Sequence, residues 1–222
     1  MQIAIDGPAG SGKSTIAKLL ADKYSFTYID TGAMYRAMAL YMIKHNIDIN
    51  DENVVSAECI KAQIDLNYEN SVLKLFLNNE DVSSEIRREE IGNSASVVSS
   101  YKIVREQLVR VQRQLASAKN VIMDGRDIGT NVLINADIKI FLTASVSVRA
   151  NRRAKELSLK GIEVDIKKIE TDIEERDFRD MHRDLNPLSK AFDAIEIDSS
   201  DMSIEDVVNM IGSIIDGKYK NS

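Results

Sequence analysis

Gly7-Pro8-Ala9-Gly10-Ser11-Gly12-Lys13-Ser14 separates an apolar run, Met1 to Ile5, from a helical pattern that starts at Thr15. The spacing G-x-x-x-x-G-K-[ST] is typical of a loop whose backbone N–H groups surround a phosphate at a helix N-terminus. A chance match in a turn rich in Gly and Ser is the alternative, but both flanking elements stand where phosphate binding requires them. The stretch therefore predicts a site for a nucleoside triphosphate, with Lys13 on the β- and γ-phosphates and the hydroxyl of Ser14 facing Mg²⁺.

Size and charge restrict the class of protein. The chain has 222 residues, 29% of them charged, and a formal net charge of −6. This length allows one α/β domain with a smaller appendage, and the negative charge provides no general basic field for nucleic acid or an anionic membrane. We find no apolar run of membrane-spanning length and no signal-peptide pattern, so we expect a cytoplasmic protein. Cys59 is the single cysteine, which excludes an internal disulfide.

Short apolar runs alternate with helical patterns, as they do in parallel βαβ units. The patterns predict strands near residues 2–6, 27–30, 120–124, 138–142 and 194–198, and helices near 13–24, 32–45, 101–118, 146–160, 165–184 and 203–216. Residues 46–100 break this alternation. There, residues 63–69 and 72–77 alternate in hydrophobicity around Asn70-Ser71, which predicts an antiparallel hairpin, and Glu80 to Val82 could add a third strand.

Charged side chains follow the third predicted strand of the main sheet. Asp124 ends that strand, where a carboxylate beside a phosphate loop holds Mg²⁺ directly or through water. An ordinary Asp-Gly turn is the alternative. Arg126 and Asp127 come next, at the sheet edge where α/β proteins bind ligands. Salt bridges to each other or to neighbours are the alternative for this pair.

The segment from Asp30 to Arg36 begins where the second predicted strand ends. Its polar side chains are candidates for a second ligand at the same sheet edge. A helix cap is the alternative for Asp30, and a solvated helix face is the alternative for Arg36. In the helix predicted from Tyr101, Arg105 borders the apolar stripe and is the arginine best placed to point inward.

Arginines also mark the two helices predicted near the C-terminal end. Arg152 and Arg153 follow the fourth strand, and Arg176, Arg179 and Arg183 are spaced to lie on one helix face. Two such helices around a short turn suit a lid that closes over a polyphosphate and excludes water. A solvated helix with internal ion pairs is the alternative.

Together these motifs resemble those of the bacterial cytidylate kinase family. The resemblance runs from Ile3 through Asp198 and rests on residues 5–14, 30–36, 124–130 and 176–180, followed by 186–188 and 197–199. It implies an α/β fold: a five-stranded parallel P-loop kinase core with helices on both faces, formed by residues 1–45 and 101–222. It also implies a helical lid at about 150–165 and a small antiparallel insert at 46–100 that binds the nucleoside monophosphate.

The activity implied is transfer of the γ-phosphoryl group of ATP to CMP or dCMP with Mg²⁺, by a chain that we expect to be monomeric. ATP would be bound by Gly7, Pro8, Ala9, Gly10, Ser11, Gly12, Lys13, Ser14 and Thr15, and Mg²⁺ by Ser14 and Asp124. Thr31, Arg105 and Asp127 would contact the cytosine ring, and Tyr35 would pack in the pocket that holds it. Ser96 and Asp180 would lie near the sugar. Arg36, Arg126 and Arg176 would hold the acceptor phosphate, with Arg183 close by. Lys13, Arg126, Arg152, Arg153 and Arg176 would form the catalytic set.

The chemistry of cytosine agrees with these roles. Asp127 can accept from the N4 amino group while Arg105 faces the acceptor edge of the ring, and uracil would mismatch the carboxylate. Kinases for UMP, AMP or shikimate remain alternatives. So do a GTPase-like switch and a regulatory nucleotide-binding module, although the sequence contains no Asn-Lys-x-Asp guanine motif.

Overall fold

The computed structural model of the chain describes residues 1–69, 72–117, 120–159 and 161–220. The chain forms two compact units, one of Met1–Tyr28 with Lys119–Ser222 and the other of Ile29–Ala118. The predicted division into a core (1–45, 101–222) and an insert (46–100) stays a prediction, because compactness alone does not say which residues serve which ligand.

Strands alternate with helices along much of the described part of the chain. The strands are β1 (Gln2–Asp6), β2 (Thr27–Asp30), β3 (Ile64–Glu69), β4 (Val72–Leu77), β5 (Glu80–Asp81), β6 (Val121–Gly125), β7 (Ile138–Thr143) and β8 (Ile195–Asp198). The helices are α1 (Lys13–Tyr24), α2 (Thr31–Lys44), α3 (Glu52–Cys59), α4 (Glu89–Val98), α5 (Lys102–Ala116), α6 (Val146–Leu159), α7 (Ile166–His182) and α8 (Ile204–Lys220). Among the described residues, none of these helices is both long and apolar enough to cross a membrane.

The larger sheet has five parallel strands in the order β2-β6-β1-β7-β8. Its inner strands are apolar almost throughout, because helices cover both faces of a parallel sheet. Ile3, Ile5, Ile122 and Met123 are fully buried. This arrangement confirms the predicted fold class and brings the ends of β1 and β6 side by side, with Asp6 opposite Gly125.

The second unit contains a three-stranded sheet in the order β3-β4-β5. β3 pairs antiparallel with β4, and β4 with β5, so the predicted hairpin is confirmed. Its predicted turn, Asn70-Ser71, lies outside the described residues. Residues 46–100 also contain the helices α3 and α4, which the hydrophobic pattern did not predict.

Asp6, at the end of β1, holds the loop that follows β6. Its Oδ1 accepts from the backbone N–H of Ile128 and its Oδ2 from that of Gly129, each at 2.7 Å. The side chain is buried, and burial raises the pKa of Asp6 from 3.8 to about 6 although the two N–H groups oppose this rise. One carboxylate therefore fixes the start of the π-helical turn Ile128–Val132.

Gly7 permits a close approach of two strands where the phosphate loop begins. Its φ is +149°, and a Cβ added there would lie 2.0 Å from the carbonyl oxygen of Leu142 in β7. No side chain fits at that distance. The path of the loop out of the sheet therefore depends on glycine at this position.

Gly7→Ala should lower the free energy of unfolding by about 3 kcal/mol or more, because the new methyl group meets a backbone oxygen that cannot move freely. Urea denaturation measures this loss. Gly217→Ala in α8 is the matched control, since nothing lies within 4 Å of its added Cβ. Equal stability of the two variants would contradict the close approach.

Asp6 should also give the stability of the protein a characteristic dependence on pH. Because its pKa is raised by folding, its contribution is present below 3.8 and is lost as the pH rises through about 6. The unfolding free energy of the wild type should therefore fall by about 2 kcal/mol relative to that of Asp6→Asn from pH 4 to pH 7. A difference that stays constant across this range would argue against the buried carboxylate.

Candidate functional site: a phosphate loop with its arginine cluster

The phosphate loop lies between β1 and α1. Gly10 and Gly12 have left-handed backbone conformations, with φ of +76° and +92°. Lys13 begins α1 and is buried, and its Nζ donates to the carbonyl of Pro8 at 2.7 Å. Burial lowers the pKa of Lys13, and the nearby Arg126 lowers it further, while Asp124 and Asp6 oppose the change. A bound phosphate would provide a negatively charged partner for this ammonium group, which donates to a neutral carbonyl in the structure.

Ser14 and Asp124 form the candidate magnesium site beside this loop. The hydroxyl of Ser14 donates to Oδ2 of Asp124 at 2.8 Å, and the hydroxyl of Tyr28 donates to its Oδ1 at 2.8 Å. Within the described residues, no group of three or more His, Cys, Asp or Glu side chains could hold a metal. A hydroxyl and one carboxylate nevertheless fit Mg²⁺, which takes its remaining ligands from phosphates and water.

The loop after β6 is joined to the end of α7 by two ion pairs. Nε of Arg126 donates to Asp180 at 2.8 Å, and Nη2 of Arg183 lies 3.2 Å from Asp127. Burial alone would raise the pKa of Asp180, but Arg126, Arg176 and Arg183 outweigh it and lower that pKa. The structure thus brings together Lys13 and these predicted residues of the first unit.

The helix predicted near residues 165–184 is confirmed by α7. α7 ends at His182, and Arg183 already has an extended backbone conformation. The cause is a turn of the chain: Leu188 N–H donates to the carbonyl of Asp180 at 2.8 Å. Arg183 reaches Asp127 from the C-cap position of α7.

Arg149, to which we assigned no role from the sequence, connects the phosphate loop to two helices. It lies in the first turn of α6, and its Nη1 donates to the carbonyl of Ala9 at 2.9 Å and contacts Asp177 of α7 at 2.7 Å. Its Nε donates to the carbonyl of Ala144 at 2.8 Å. No motif indicated these contacts, because they depend on the packing of α6 against α7.

The two predicted lid arginines have different surroundings. Nη2 of Arg152 donates to the carbonyl of Ser199 at 2.6 Å, and its Nη1 lies 3.5 Å from the carbonyl of Ser11 in the phosphate loop. Arg153 pairs with Glu156 at 2.9 Å, and both side chains are partly exposed. Arg152 is therefore the one placed against the loop.

In the second unit, Arg105 points inward as predicted. Its side chain is buried, it donates to the carbonyl of Ser99 at 3.2 Å, and its guanidinium lies 5.7 Å from the centre of the Tyr35 ring. The hydroxyl of Ser96 is buried and has no hydrogen-bond partner among the described residues. The second unit therefore contains three of the predicted nucleoside-binding groups: the guanidinium of Arg105, the ring of Tyr35 and the hydroxyl of Ser96.

The start of α2 carries the other predicted residues of this unit. Oδ1 of Asp30 accepts from the N–H of Ala33 at 2.9 Å, so Asp30 is a helix cap, which was the alternative to ligand binding. Thr31 is buried in the first turn. Arg36 donates to the carbonyl of Ile86 at 3.1 Å.

Comparison with known proteins agrees with these features. The family model for cytidylate kinase matches residues 3–216. A cytidylate kinase from Lactobacillus gasseri is 49% identical over 221 residues, which cover 100% of this chain and 96% of that protein. One from Fusobacterium nucleatum is 48% identical and covers 96% of both chains. A gluconokinase structure from Sinorhizobium meliloti shares the fold, with a TM-score of 0.52 at 13% identity over 100% of this chain and 97% of that one. On the full-length match and the sequence identity, this chain belongs to the cytidylate kinase family.

Proposed function

We propose that this chain transfers the γ-phosphoryl group of ATP to CMP or dCMP, producing ADP and CDP or dCDP. The observation that carries this proposal is the cationic cluster at the phosphate loop. Lys13 is buried there, and burial is the main reason why its pKa is lowered. The positive charges of Arg126 and Arg176 lower this pKa further. Such a cluster can stabilise a group that carries several negative charges, as the phosphoryl group does while it is transferred.

On the donor side, the loop from Gly7 to Thr15 would bind the β- and γ-phosphates of ATP through its backbone N–H groups. Lys13 would leave the carbonyl of Pro8 and donate to phosphate oxygens. Ser14 and Asp124 would hold Mg²⁺, with Asp124 acting directly or through water. When bound, Mg²⁺ neutralises negative charge on the β- and γ-phosphate oxygens.

On the acceptor side, Arg36, Arg126 and Arg176 would hold the phosphate of CMP, with Arg183 close by. A phosphate monoester is already substantially ionised at neutral pH, so the reaction needs no general base. Asp180 keeps the guanidinium of Arg126 in place through their 2.8 Å contact. The arginines would then orient an oxygen of the acceptor for attack on the γ-phosphorus. Arg152 and Arg153 would act from the lid.

Recognition of the nucleoside would depend on polar side chains. Asp127 would accept from the N4 amino group of cytosine, and Thr31 and Arg105 would face the rest of the ring edge. Tyr35 would line the pocket. Ser96, whose hydroxyl lacks a protein partner among the described residues, and Asp180 would lie near the sugar.

The other functions considered from the sequence have less support. Similarity to cytidylate kinases over nearly the whole chain does not favour a kinase for UMP, AMP or shikimate, nor a switch or a regulatory module. The cytoplasmic location and the monomeric state stay predictions.

A panel of acceptors at fixed ATP and Mg²⁺ tests the function. CMP and dCMP should be phosphorylated, and UMP should have a kcat/KM lower by about 5- to 150-fold, because a buried mismatch at Asp127 costs about 1 to 3 kcal/mol. Coupled detection of ADP measures these rates. ADP formation that does not depend on any acceptor, or equal kcat/KM for CMP and UMP, would refute the assignment.

Lys13→Ala tests the catalytic role of the loop. Turnover should fall by roughly two or more orders of magnitude, because charge on the transferred group loses a preorganised donor. Thermal unfolding should show that the variant still folds. The matched control is Lys18→Ala, an exposed lysine on the same helix, which should leave kcat unchanged. Near-normal turnover of the Lys13 variant would exclude the role.

A further inference from the structure

The guanidinium of Arg36 lies face-on against Gly92. A Cβ added at Gly92 would lie 3.3 Å from Nη2, 3.4 Å from Cζ and 3.4 Å from Nη1 of Arg36. Since three atoms of the planar group are almost equally distant, the plane of the guanidinium rests on this point of the helix. Gly92 belongs to α4 and is buried.

The backbone of Gly92 does not explain why glycine stands there. Gly92 lies inside a helix and has no positive φ, so alanine would adopt the same conformation. Glycine weakens a helix relative to alanine. What distinguishes glycine here is the space that its missing side chain leaves for Arg36.

A second contact fixes the direction of the same group. Nη1 of Arg36 donates to the carbonyl of Ile86 at 3.1 Å, and Ile86 lies in the 3₁₀ turn Glu85–Arg87, just before α4. A carbonyl at one end and a helix surface against one face determine where the remaining N–H groups point. Bidentate binding of a phosphate requires that kind of fixed, planar orientation.

We propose that Gly92 is a positioning residue for the acceptor phosphate: it provides the flat surface on which Arg36 is held in the orientation that binds the phosphate of CMP. This inference rests on the proposed function, in which Arg36 binds that phosphate. Gly92 itself touches no substrate in this proposal and acts through Arg36.

Gly92→Ala is the test. The new methyl group would displace the guanidinium by a few tenths of an ångström, so the KM for CMP should rise about three- to tenfold. The KM for ATP should stay within about twofold, because Gly92 acts through Arg36, which has no role in ATP binding in the proposed function. Thermal stability should stay equal or rise by about 2 °C, since alanine favours the helix. A loss limited to CMP binding, in a variant that is no less stable, is a result that a merely structural glycine would not produce.

Two further variants make the result decisive. Gly217→Ala, in α8 and with nothing near its added Cβ, should change neither KM. Arg36→Lys should raise the KM for CMP, because an ammonium group cannot bind in a planar, bidentate manner. In the Arg36→Lys background, Gly92→Ala should have little further effect, since the planar group that it displaces is no longer present.

The outcomes separate the inference from the proposed function. If Arg36→Lys leaves the KM for CMP unchanged, the role of Arg36 is wrong and the inference falls with it. If Arg36→Lys raises that KM but Gly92→Ala does not, the role of Arg36 stands and the inference alone is overturned. A Gly92→Ala variant with a lowered melting temperature and raised KM for both substrates would also overturn it, because Gly92 would then support the fold generally.

Discussion

A single buried carboxylate connects the strand that precedes the phosphate loop to the loop that follows β6. Asp6 accepts two successive backbone N–H groups, and it does so at the residue where β1 passes into the phosphate loop. The same bonds hold the loop that carries Arg126 and Asp127. Two segments far apart in sequence are thereby fixed to one strand end.

Three arginines around this point form ion pairs with carboxylates. Arg126 pairs with Asp180, Arg149 with Asp177 and Arg183 with Asp127. Buried charges that lack a partner are costly, so these three ion pairs stabilise the arginines that they contain. These pairs also keep the guanidinium groups in defined positions, which is useful to an enzyme that must neutralise charge without reorganising its own dipoles.

The sequence predicted the main sheet well because strands covered on both faces are continuous apolar runs, as in Ile3 to Ile5 and Val121 to Met123. It also predicted that Ser14 and Asp124 would meet, because a motif fixes the first and a strand end fixes the second. It could not predict the turn after α7, in which the N–H of Leu188 donates back to the carbonyl of Asp180. The contacts of Arg149 and Gly92 likewise depend on how helices pack, and no local pattern encodes them. The ligand-binding roles of the site residues stay predictions.

Arg149 ties together two parts of the chain that a modular view of kinases would treat as exchangeable. Its side chain joins the phosphate loop at Ala9 to Asp177 in the middle of α7, so loop and helix share one cation. A chimaera that takes the segment from α6 to α7 from another P-loop kinase would have to bring both the arginine and its aspartate. Importing only one of them would bury a charge without its counterpart beside the phosphate loop, and exchange of the segment from α6 to α7 is limited to that extent.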